Sequence, residues 1–445
     1  MISEIRTFPR ENGEHQRVHI VRLSDWDQLE LLRPTPTADA LECFYQLYRL
    51  YLVPSAPQLF GSLVLFSLPA DLPVPFPAYS DNCGHLADPL SIAAAALRSG
   101  VTVRPDGITF QDSRIQVFWE ALVARDCIRL VHGERSTTTI LPVGAECGYL
   151  TEVCPDAALK VNSSFFIMDP IDCGTPYDHI GAWFGLFVKN GVVENPPLFG
   201  REALTVSCDG TVSVEQPDIR TLSVHIGEKT YRHGENARFY TRPEHTFSPE
   251  GKQALVITGT RLAAVCAGAA QIPCSGFVIC PDAPAQLVPG IPVRYGGMEH
   301  IRFAIQVGNS ILRDGIKTAY FCSSFYNVQQ PQATPYPPSL YPLDFHRARA
   351  ARIALGADAQ GKPVLLWAEG AAKLGHVPGA DSCGASLSEM ADICQAVGMH
   401  NAVNLDGGGS AQLLLHNTRS LCLTDRSQTD YCQAERPVPI ALMIR

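Results

Sequence analysis

Three consecutive glycines between an acidic and a hydroxyl residue are the first candidate for chemistry in this sequence. Residues 406–410 (DGGGS) directly follow the apolar run 402–405 (AVNL). Because glycine loses the most conformational freedom on folding, a run of three indicates unusual backbone angles or close approach to another group. Successive backbone N–H groups form an anion-binding nest, to which Ser410 would add a hydroxyl donor. The alternative is a plain turn at a strand end, and the lysine and spacing of a Walker loop are missing.

A helix and a strand must position this turn. Ser386 and Glu389 have the spacing of a capping box, apolar residues up to Val397 fall on one helix face, and Gly398 is typical of a helix end. We therefore predict a helix over residues 386–397. The strand predicted at residues 402–405 then delivers Asp406 to a loop that a ligand can approach closely.

The stretch from 384 to 410 closely resembles the phosphodiester glycosidase family, whose members carry a GxxLxEla helix followed by nLDGGGS. Further segments resemble the family's motifs at residues 158–166, 204–214, 272–278, 304–315, 351–356 and 435–438. The resemblance extends from about residue 147 to the C-terminus, and the strand near Val18 is a candidate first element. Most of residues 33–144 is unmatched.

Two segments depart from the family pattern. Ser163 and Ser164 replace the two glycines that follow Asn162. Ala351 and Ile353 replace the proline and threonine around the family arginine, which is Arg352 here. Loss of the threonine removes a hydroxyl beside this arginine, so ligand contacts are expected to differ there. These changes affect the transfer of substrate more than the transfer of fold.

The resemblance implies a hydrolase that cleaves a glycosidic bond between a sugar anomeric carbon and a phosphodiester or related anionic leaving group. Such a leaving group needs little protonation by an acid. Stabilisation of its negative charge by arginine guanidinium groups and preorganised N–H donors matters more. The candidate catalytic residues are Asp406 and Arg352, which lie in segments that resemble family motifs, and His376, which is proposed from its loop position. The implied substrate-binding residues are Asn162, Gly407, Gly408, Gly409 and Ser410.

Each of these residues also has a structural alternative. Asp406 is otherwise a turn former, Arg352 a surface arginine, and Asn162 a partner in a buried strand-end hydrogen bond. His376 lies in a Gly/Pro loop, where an imidazole can act as an acid or base near pH 7. The other candidates are second carboxylates (Glu369 and Asp381), a helix cap (Glu389), solvated arginines (Arg347 and Arg349) and a polar loop (Asp178 and His179).

No cofactor is required by this chemistry. A divalent cation near Asp406, Asp169 or Asp178 is chemically reasonable, because hard cations take oxygen ligands. The spacing of these residues does not define a metal site.

Composition limits the partners. Lys and Arg (35) are outnumbered by Asp and Glu (44), which gives a formal net charge of −9 and argues against a nucleic-acid partner. An anionic small molecule would therefore need a local cluster of arginines.

The most apolar stretch, residues 254–280, is interrupted by Arg261, Gln271 and Pro273, which argues against a membrane span. The N-terminus lacks an apolar signal segment, and the 15 cysteines suit mostly buried thiols in a reducing cytoplasm. Oligomeric state is left open.

The expected fold class is α+β, with an extensive, mostly antiparallel sheet core and a few packed helices. Strands are predicted at residues 18–23, 159–161, 255–265, 276–280, 301–307, 352–355 and 364–367, with a hairpin at 204–214 that turns at Asp209-Gly210. Helical runs are expected at 41–51 and 89–98, and a proline-dense connector at 329–342. We expect residues 1–32 to contribute a strand to the main domain, 33–146 to form an insertion or lid-like region, and 147–445 to form the phosphodiester-glycosidase-like domain.

Two alternative functions stay open from the sequence. One is a divergent tailoring enzyme of small-molecule or peptide natural-product biosynthesis on the same scaffold. The other is a catalytically silent protein that binds a sugar or phosphate.

Overall fold

The computed structural model describes residues 1–10, 13–35, 62–65, 71–73, 75, 93, 97, 101–104, 107–125, 128–131, 147–167, 175, 177–178, 181–198, 200–242, 244–251, 253–318, 349–370, 382–419 and 436–445. Within these ranges lie 28 strands and two α-helices with defined bounds. The strands are β1 Ile2–Pro9, β2 His15–Arg22, β3 Glu30–Leu32, β4 Ser62–Leu65, β5 Val101–Arg104, β6 Gly107–Phe110, β7 Ile128–Val131, β8 Leu159–Asn162, β9 Phe187–Lys189, β10 Val192–Asn195, β11 Ala203–Ser207, β12 Val212–Glu215, β13 Ser223–Ile226, β14 Lys229–Arg232, β15 Ala237–Thr241, β16 Ala254–Thr258, β17 Arg261–Cys266, β18 Gly276–Pro281, β19 Val293–Gly296, β20 Ile301–Ile305, β21 Ser310–Arg313, β22 Ile316–Lys317, β23 Arg352–Asp358, β24 Pro363–Ala368, β25 Met399–Asn404, β26 Leu413–Leu415, β27 Thr418–Arg419 and β28 Ala441–Ile444. The helices are α1 Ser113–Ala124 and α2 Leu387–Ala396.

A seven-stranded antiparallel sheet in the order β1-β2-β24-β23-β25-β21-β22 carries the turn of interest. Its central strands β23, β24 and β25 are buried along nearly their whole length. A strand that is covered on both faces must be apolar on both faces, which explains the nearly continuous apolar sequences of β23 and β24. This central position holds the strand ends rigidly.

Helix α2 covers one face of this sheet. Leu387, Met390 and Ile393 pack with apolar residues of β2, β23 and β24 in one buried cluster. The Ser386 hydroxyl accepts a hydrogen bond from the Glu389 N–H at 3.2 Å, and the Glu389 carboxylate accepts one from the Ser386 N–H at 2.8 Å. Gly398 follows with φ = +86°. The predicted helix, its capping box and its glycine end are confirmed.

The opposite face packs on two five-stranded sheets, ordered β10-β9-β20-β11-β12 and β27-β26-β8-β28-β3. Ile353, Trp367 and Leu405 from the seven-stranded sheet share one buried cluster with Val161 and Phe303 from these two sheets. Strand β8 therefore lies against the sheet that carries β25. Its last residue, Asn162, comes close to the turn after β25.

Strands from the first 32 residues join these sheets. Strand β2 pairs with β24, and β3 pairs with the C-terminal strand β28. Within residues 62–131, α1 contributes Ile115, Phe118 and Leu122 to a small apolar cluster. The boundary at residues 33–146 stays a prediction.

The expected fold class is confirmed, because every strand pair in the described sheets is antiparallel and α2 packs on one of them. The hairpin β11–β12 turns at Gly210, which has φ = +88°. The other predicted strands are present, except that residues 255–265 form two antiparallel strands, β16 and β17, rather than one. Helix α1 was not predicted, and the runs at 41–51 and 329–342 lie outside the described residues, as does most of 89–98.

The apolar stretch 254–280 forms strands β16, β17 and β18 of a four-stranded sheet. Among the described residues, no helix has the length and apolar character needed to cross a membrane. Of the described cysteines, all eight are free thiols, and only Cys147, Cys274, Cys383 and Cys394 are buried. Burial of cysteine is therefore less general than expected.

His19 in β2 predicts a pH-dependent stability. Its side chain is 3% exposed and meets Trp367 edge to face, and burial, aided by the Arg17 charge, lowers its pKa to about 4. Between pH 6.5 and 4 the unfolded chain therefore binds a proton at this residue that the folded chain does not, so stability falls as pH falls through that window. The loss is at most roughly 3 kcal/mol.

Urea unfolding at pH 6.5 and 4.5 checks this expectation. The substitution His19→Gln should flatten the decline, while His300→Gln, at an exposed site, should leave it unchanged. Equal declines in all three proteins would contradict the assignment.

Candidate active site

The backbone of Asp406 is anchored between two neighbouring strands. Its N–H donates to the Ser163 carbonyl oxygen at 2.8 Å, and its own carbonyl oxygen accepts from the Asn162 Nδ2 at 2.8 Å. One residue earlier, the Leu405 N–H donates to the Ile353 carbonyl oxygen at 2.9 Å. Asp406 is therefore fixed from the β8 side and from the β23 side.

At each glycine of the turn, a different steric constraint disfavours a side chain. A Cβ at Gly407 would lie 2.5 Å from the Ala351 carbonyl oxygen, and one at Gly409 would lie 2.5 Å from the Arg436 Nη2. Gly408 has φ = +56°, where side chains are rarely tolerated. The expectation of unusual angles and close approach is confirmed. All three glycines are partly exposed, so the turn is accessible.

The carboxyl group of Asp406 is nearly buried, at 8% exposure for the residue. Burial raises its pKa to about 7, although hydrogen bonding by Ser410, the charge of Arg436, the Gly407 N–H and the charge of Arg352 all act to lower it. Desolvation disfavours the ionised form, whereas donors and positive charges favour it. A carboxyl group with a pKa near neutrality can exchange protons at physiological pH.

Two buried arginines flank this carboxyl group. Arg352, at the start of β23, is 6% exposed, and its Nε donates to the Ala385 carbonyl oxygen at 3.1 Å. Arg436 is 8% exposed, and its Nη1 donates to the Ser410 hydroxyl oxygen at 2.9 Å. Ser410 thus links Arg436 to Asp406. Two guanidinium groups against one carboxyl group leave a local positive excess, which suits an anionic ligand.

The main-chain amides of the turn are mostly engaged. Those of Gly408, Ser410 and Ala411 donate to the carbonyl oxygens of Ala351, Gly407 and Gly408 respectively. These three N–H groups are therefore not available for the expected anion-binding nest, because the turn closes on itself and on Ala351. Among the described residues, the Gly409 N–H has no hydrogen-bond acceptor. Substrate binding by Gly407, Gly408, Gly409 and Ser410 stays a prediction.

The side chains of Asn162 and Gln412 hold the turn in place through hydrogen bonds. The Asn162 Oδ1 accepts from the Gln412 N–H at 2.8 Å, while its Nδ2 holds Asp406. The Gln412 Nε2 donates to the Arg436 carbonyl oxygen at 2.7 Å. These are the bonds of the strand-end alternative for Asn162, and a sugar contact by this residue stays a prediction.

The remaining candidates either make structural contacts of their own or lie outside the described residues. Glu369 accepts from the Arg17 Nε and from the Ser382 hydroxyl, both at 2.7 Å. Glu389 is a helix cap and pairs with Arg349 at 2.7 Å. Asp178 accepts from the backbone of Thr175, Cys274 and Ser275, which makes it a loop anchor. The candidates outside the described residues are Asp169, His179, Arg347, His376 and Asp381.

No group of three or more His, Cys, Asp or Glu side chains in the described part of the chain is arranged to hold a metal ion. The cation considered near Asp406 or Asp178 stays a prediction.

Arg436 is the main site residue to which sequence reasoning gave no role, although its segment resembles the family's closing strand. The sequence did contain an indication of its position. Arg436 directly precedes residues 437–444, an apolar segment typical of a buried strand. Gln412 was also missed. It lies two residues beyond Ser410, where the strand pattern resumes.

Comparison with known proteins supports the resemblance over part of the chain. Residues 283–445, somewhat more than a third of the chain, match the family model described as phosphodiester glycosidase. The match includes the Arg352, Asp406 and Arg436 segments and excludes Asn162. The resemblance found in the sequence is therefore confirmed for this region.

Two curated relatives are both named N-acetylglucosamine-1-phosphodiester alpha-N-acetylglucosaminidase. The Mus musculus protein is 31% identical over 100 residues, which are 22% of this chain and 18% of that protein. The Homo sapiens protein is 33% identical over 95 residues, which are 21% of this chain and 17% of that protein. The chain thus matches less than a fifth of the length of either relative.

A solved structure of the catalytic domain of the zebrafish enzyme of the same name, auto-inhibited by its pro-peptide, is also similar. The two chains are 11% identical, with a TM-score of 0.37. The alignment covers 100% of this chain and 82% of that chain.

Gly409→Ala tests the placement of Arg436. The new Cβ would lie 2.5 Å from Nη2 and 2.9 Å from Cζ, so the guanidinium group must move, whereas Gly409 does not have a positive φ and its backbone accepts alanine. Because the Arg436 charge lowers the pKa of Asp406, the substitution should raise that pKa, as measured by carboxyl NMR titration.

Gly251→Ala is the matched control, since its Cβ would have no atom within 4 Å. This control should leave the pKa of Asp406 unchanged. An unchanged pKa in Gly409→Ala as well would show that the guanidinium group does not act on the carboxyl group.

Proposed function

We propose that this chain is a hydrolase that cleaves the glycosidic bond between a sugar anomeric carbon and a phosphodiester leaving group. The observation that carries the proposal is the buried Asp406 carboxyl group, placed between Arg352 and Arg436 on an accessible glycine turn. The turn lies inside the region that matches the phosphodiester glycosidase family model.

N-acetylglucosamine is the sugar to test first. It is the sugar in the names of the curated relatives, which are 31% and 33% identical over their matched segments. The replacement of two family glycines by Ser163 and Ser164 adds two buried side chains next to Asp406, whose N–H donates to the Ser163 carbonyl oxygen. We therefore expect the group attached to the phosphate to differ from that of the relatives.

The two arginines supply the binding of the phosphate. A phosphodiester carries one negative charge, and guanidinium groups bind phosphate oxygens through paired N–H donors. As the bond between the anomeric carbon and the phosphate oxygen breaks, negative charge grows on that oxygen. Guanidinium groups fixed beforehand stabilise this charge without reorganising. Arg352 and Arg436 are both buried and hydrogen-bonded, so they are held in place before substrate arrives.

Asp406 acts as the base in this proposal. Its carboxylate takes a proton from a water molecule whose oxygen bonds to the anomeric carbon. The electron pair of the broken bond leaves with the phosphate, and the products are a free sugar and a phosphomonoester. No proton is needed on the leaving oxygen, which explains why one carboxyl group with a pKa of about 7 is sufficient.

Substitutions of the two central residues test the site. Asp406→Asn and Arg352→Ala should each lower kcat/KM by at least roughly tenfold, or about 1.4 kcal/mol of transition-state stabilisation. The assay follows release of N-acetylglucosamine and a phosphomonoester from an N-acetylglucosamine-1-phosphodiester. Asp282→Asn and Arg238→Ala, both at exposed positions, are the matched controls. Full activity in both site variants would refute the assignment.

The pH profile tests the role of Asp406. Because the carboxylate form is reactive, kcat/KM should rise as pH increases to about 7 and level off above it. A bound phosphodiester adds negative charge beside the carboxyl group and stabilises its protonated form, so the midpoint in kcat should lie at higher pH. A decline in kcat/KM above pH 7 would instead identify Asp406 as an acid.

A further inference from the structure

A second cleft lies apart from the glycine turn. It has a volume of about 130 Å³ and is lined by parts of Arg33, Trp183, β10 and the β16–β17 turn, with Ser275 also on its wall. Pockets for drug-sized ligands occupy roughly 300–1,000 Å³, so this cleft suits a single small ring. None of its lining residues belongs to the Asp406 site described above.

The cleft combines an aromatic surface with many hydrogen-bonding groups. Trp183 is partly exposed, and Thr258 and Thr260, which carry hydroxyl groups, line the same space. Asn195 also lines it, and its Nδ2 donates to the Gly185 carbonyl oxygen at 2.8 Å, which fixes the amide. An aromatic face beside fixed polar groups matches a ligand with one apolar face and a polar rim.

Ser275 provides an independent sign of a ligand. The residue is 3% exposed, and its hydroxyl oxygen has no hydrogen-bond partner among the described residues. Its N–H donates to the Asp178 carboxylate at 3.2 Å, and the neighbouring Cys274 N–H donates to the same oxygen at 2.5 Å. A buried carboxylate thus fixes the backbone of Ser275, a residue of the cleft wall, and unsatisfied buried groups such as its hydroxyl are rare in folded proteins.

Most of the charge around the cleft is balanced or exposed to solvent, because Arg33 pairs with Glu194 and Arg261 lies at an exposed position, so a neutral ligand is compatible with it. Arg33 and Arg261 contribute positive charge, and Glu194 contributes negative charge. Arg33 lies 5.8 Å from the centre of the Trp183 ring and contacts Glu194 at 3.4 Å. Both members of that ion pair are about half exposed, so their contact is weak and Arg33 can be displaced. Displacement uncovers the indole for a ligand ring.

We propose that this cleft is a binding site for a neutral sugar ring. The ring packs its C–H face on Trp183, and its hydroxyl groups bond to Ser275, Asn195 and the two threonines. The inference does not depend on hydrolysis at Asp406. Phe166 forms a β-bridge with Trp183 and lies four residues after Asn162, so the Cα atoms of Trp183 and Asn162 are at most roughly 20 Å apart. The two sites are therefore separate but neighbouring.

Binding of methyl glycosides tests the proposal. The full chain carrying Asp406→Asn, which prevents turnover, is titrated with the methyl α-glycosides of glucose, mannose and N-acetylglucosamine, with ligand-observed NMR and tryptophan fluorescence as readouts. At least one glycoside should bind. Adding Ser275→Ala, which removes a single oxygen atom, should weaken binding roughly threefold to tenfold. Adding Arg33→Ala should strengthen it, because the indole is then uncovered.

Ser213→Ala is the matched control, since its hydroxyl contacts Thr205 and Glu215 on the β11–β12 hairpin and should not affect binding. With Asp406 restored, Ser275→Ala should keep the hydrolysis of a methyl phosphodiester substrate. Absence of hydrolysis by the unsubstituted chain, with glycoside binding intact, would contradict the proposed function alone. Absence of binding by all three glycosides, or binding insensitive to both Ser275→Ala and Arg33→Ala, would overturn the cleft proposal.

Discussion

A single carboxyl group that is buried beside two guanidinium groups is the constraint on which the glycine turn depends. An isolated buried charge costs several kcal/mol, so Asp406, Arg352 and Arg436 can share this interior only if they lie close together and are hydrogen-bonded. The turn meets this condition by omitting side chains. A Cβ at Gly407 would overlap β23, and a Cβ at Gly409 would overlap the guanidinium group of Arg436. The packing around the charges therefore favours glycine at both positions, whatever ligand binds there.

Much of the local structure was predictable because its causes are local. The capping box at Ser386, the left-handed Gly398 and the Asp209-Gly210 hairpin depend on residues a few positions apart, and all three are present. The strands β23 and β24 were also predictable, since burial on both faces leaves a nearly continuous apolar run. Helix α1 was missed because it lies in a region that proline-rich segments made difficult to interpret.

The site was only partly predictable, because its contacts join distant parts of the chain. Asp406 and Arg352 stood out through the family motifs, but the partner of Ser410 comes from Arg436, which the C-terminal strand β28 brings back to β8. Ser410 and Arg436 lie 26 positions apart and follow or precede strands of different sheets, so no sequence-spacing rule predicts their contact. The same applies to the amides of the turn, since their acceptors on Ala351 and Gly407 are defined only by the folded backbone.

The position of the arginines resolves an apparent conflict between the charge of the chain and the anionic substrate that we propose. A net charge of −9 repels anions at long range, but salt at physiological strength screens exposed charges beyond about 8 Å. Arg352 and Arg436 are buried beside the turn, where screening is weaker and contact distances are short. A phosphodiester that reaches the turn therefore interacts mainly with this local positive excess. Because β8, β23 and β28 hold Asp406, Arg352 and Arg436 from three sides, the same contacts that permit burial of the charges also keep them in place for a ligand.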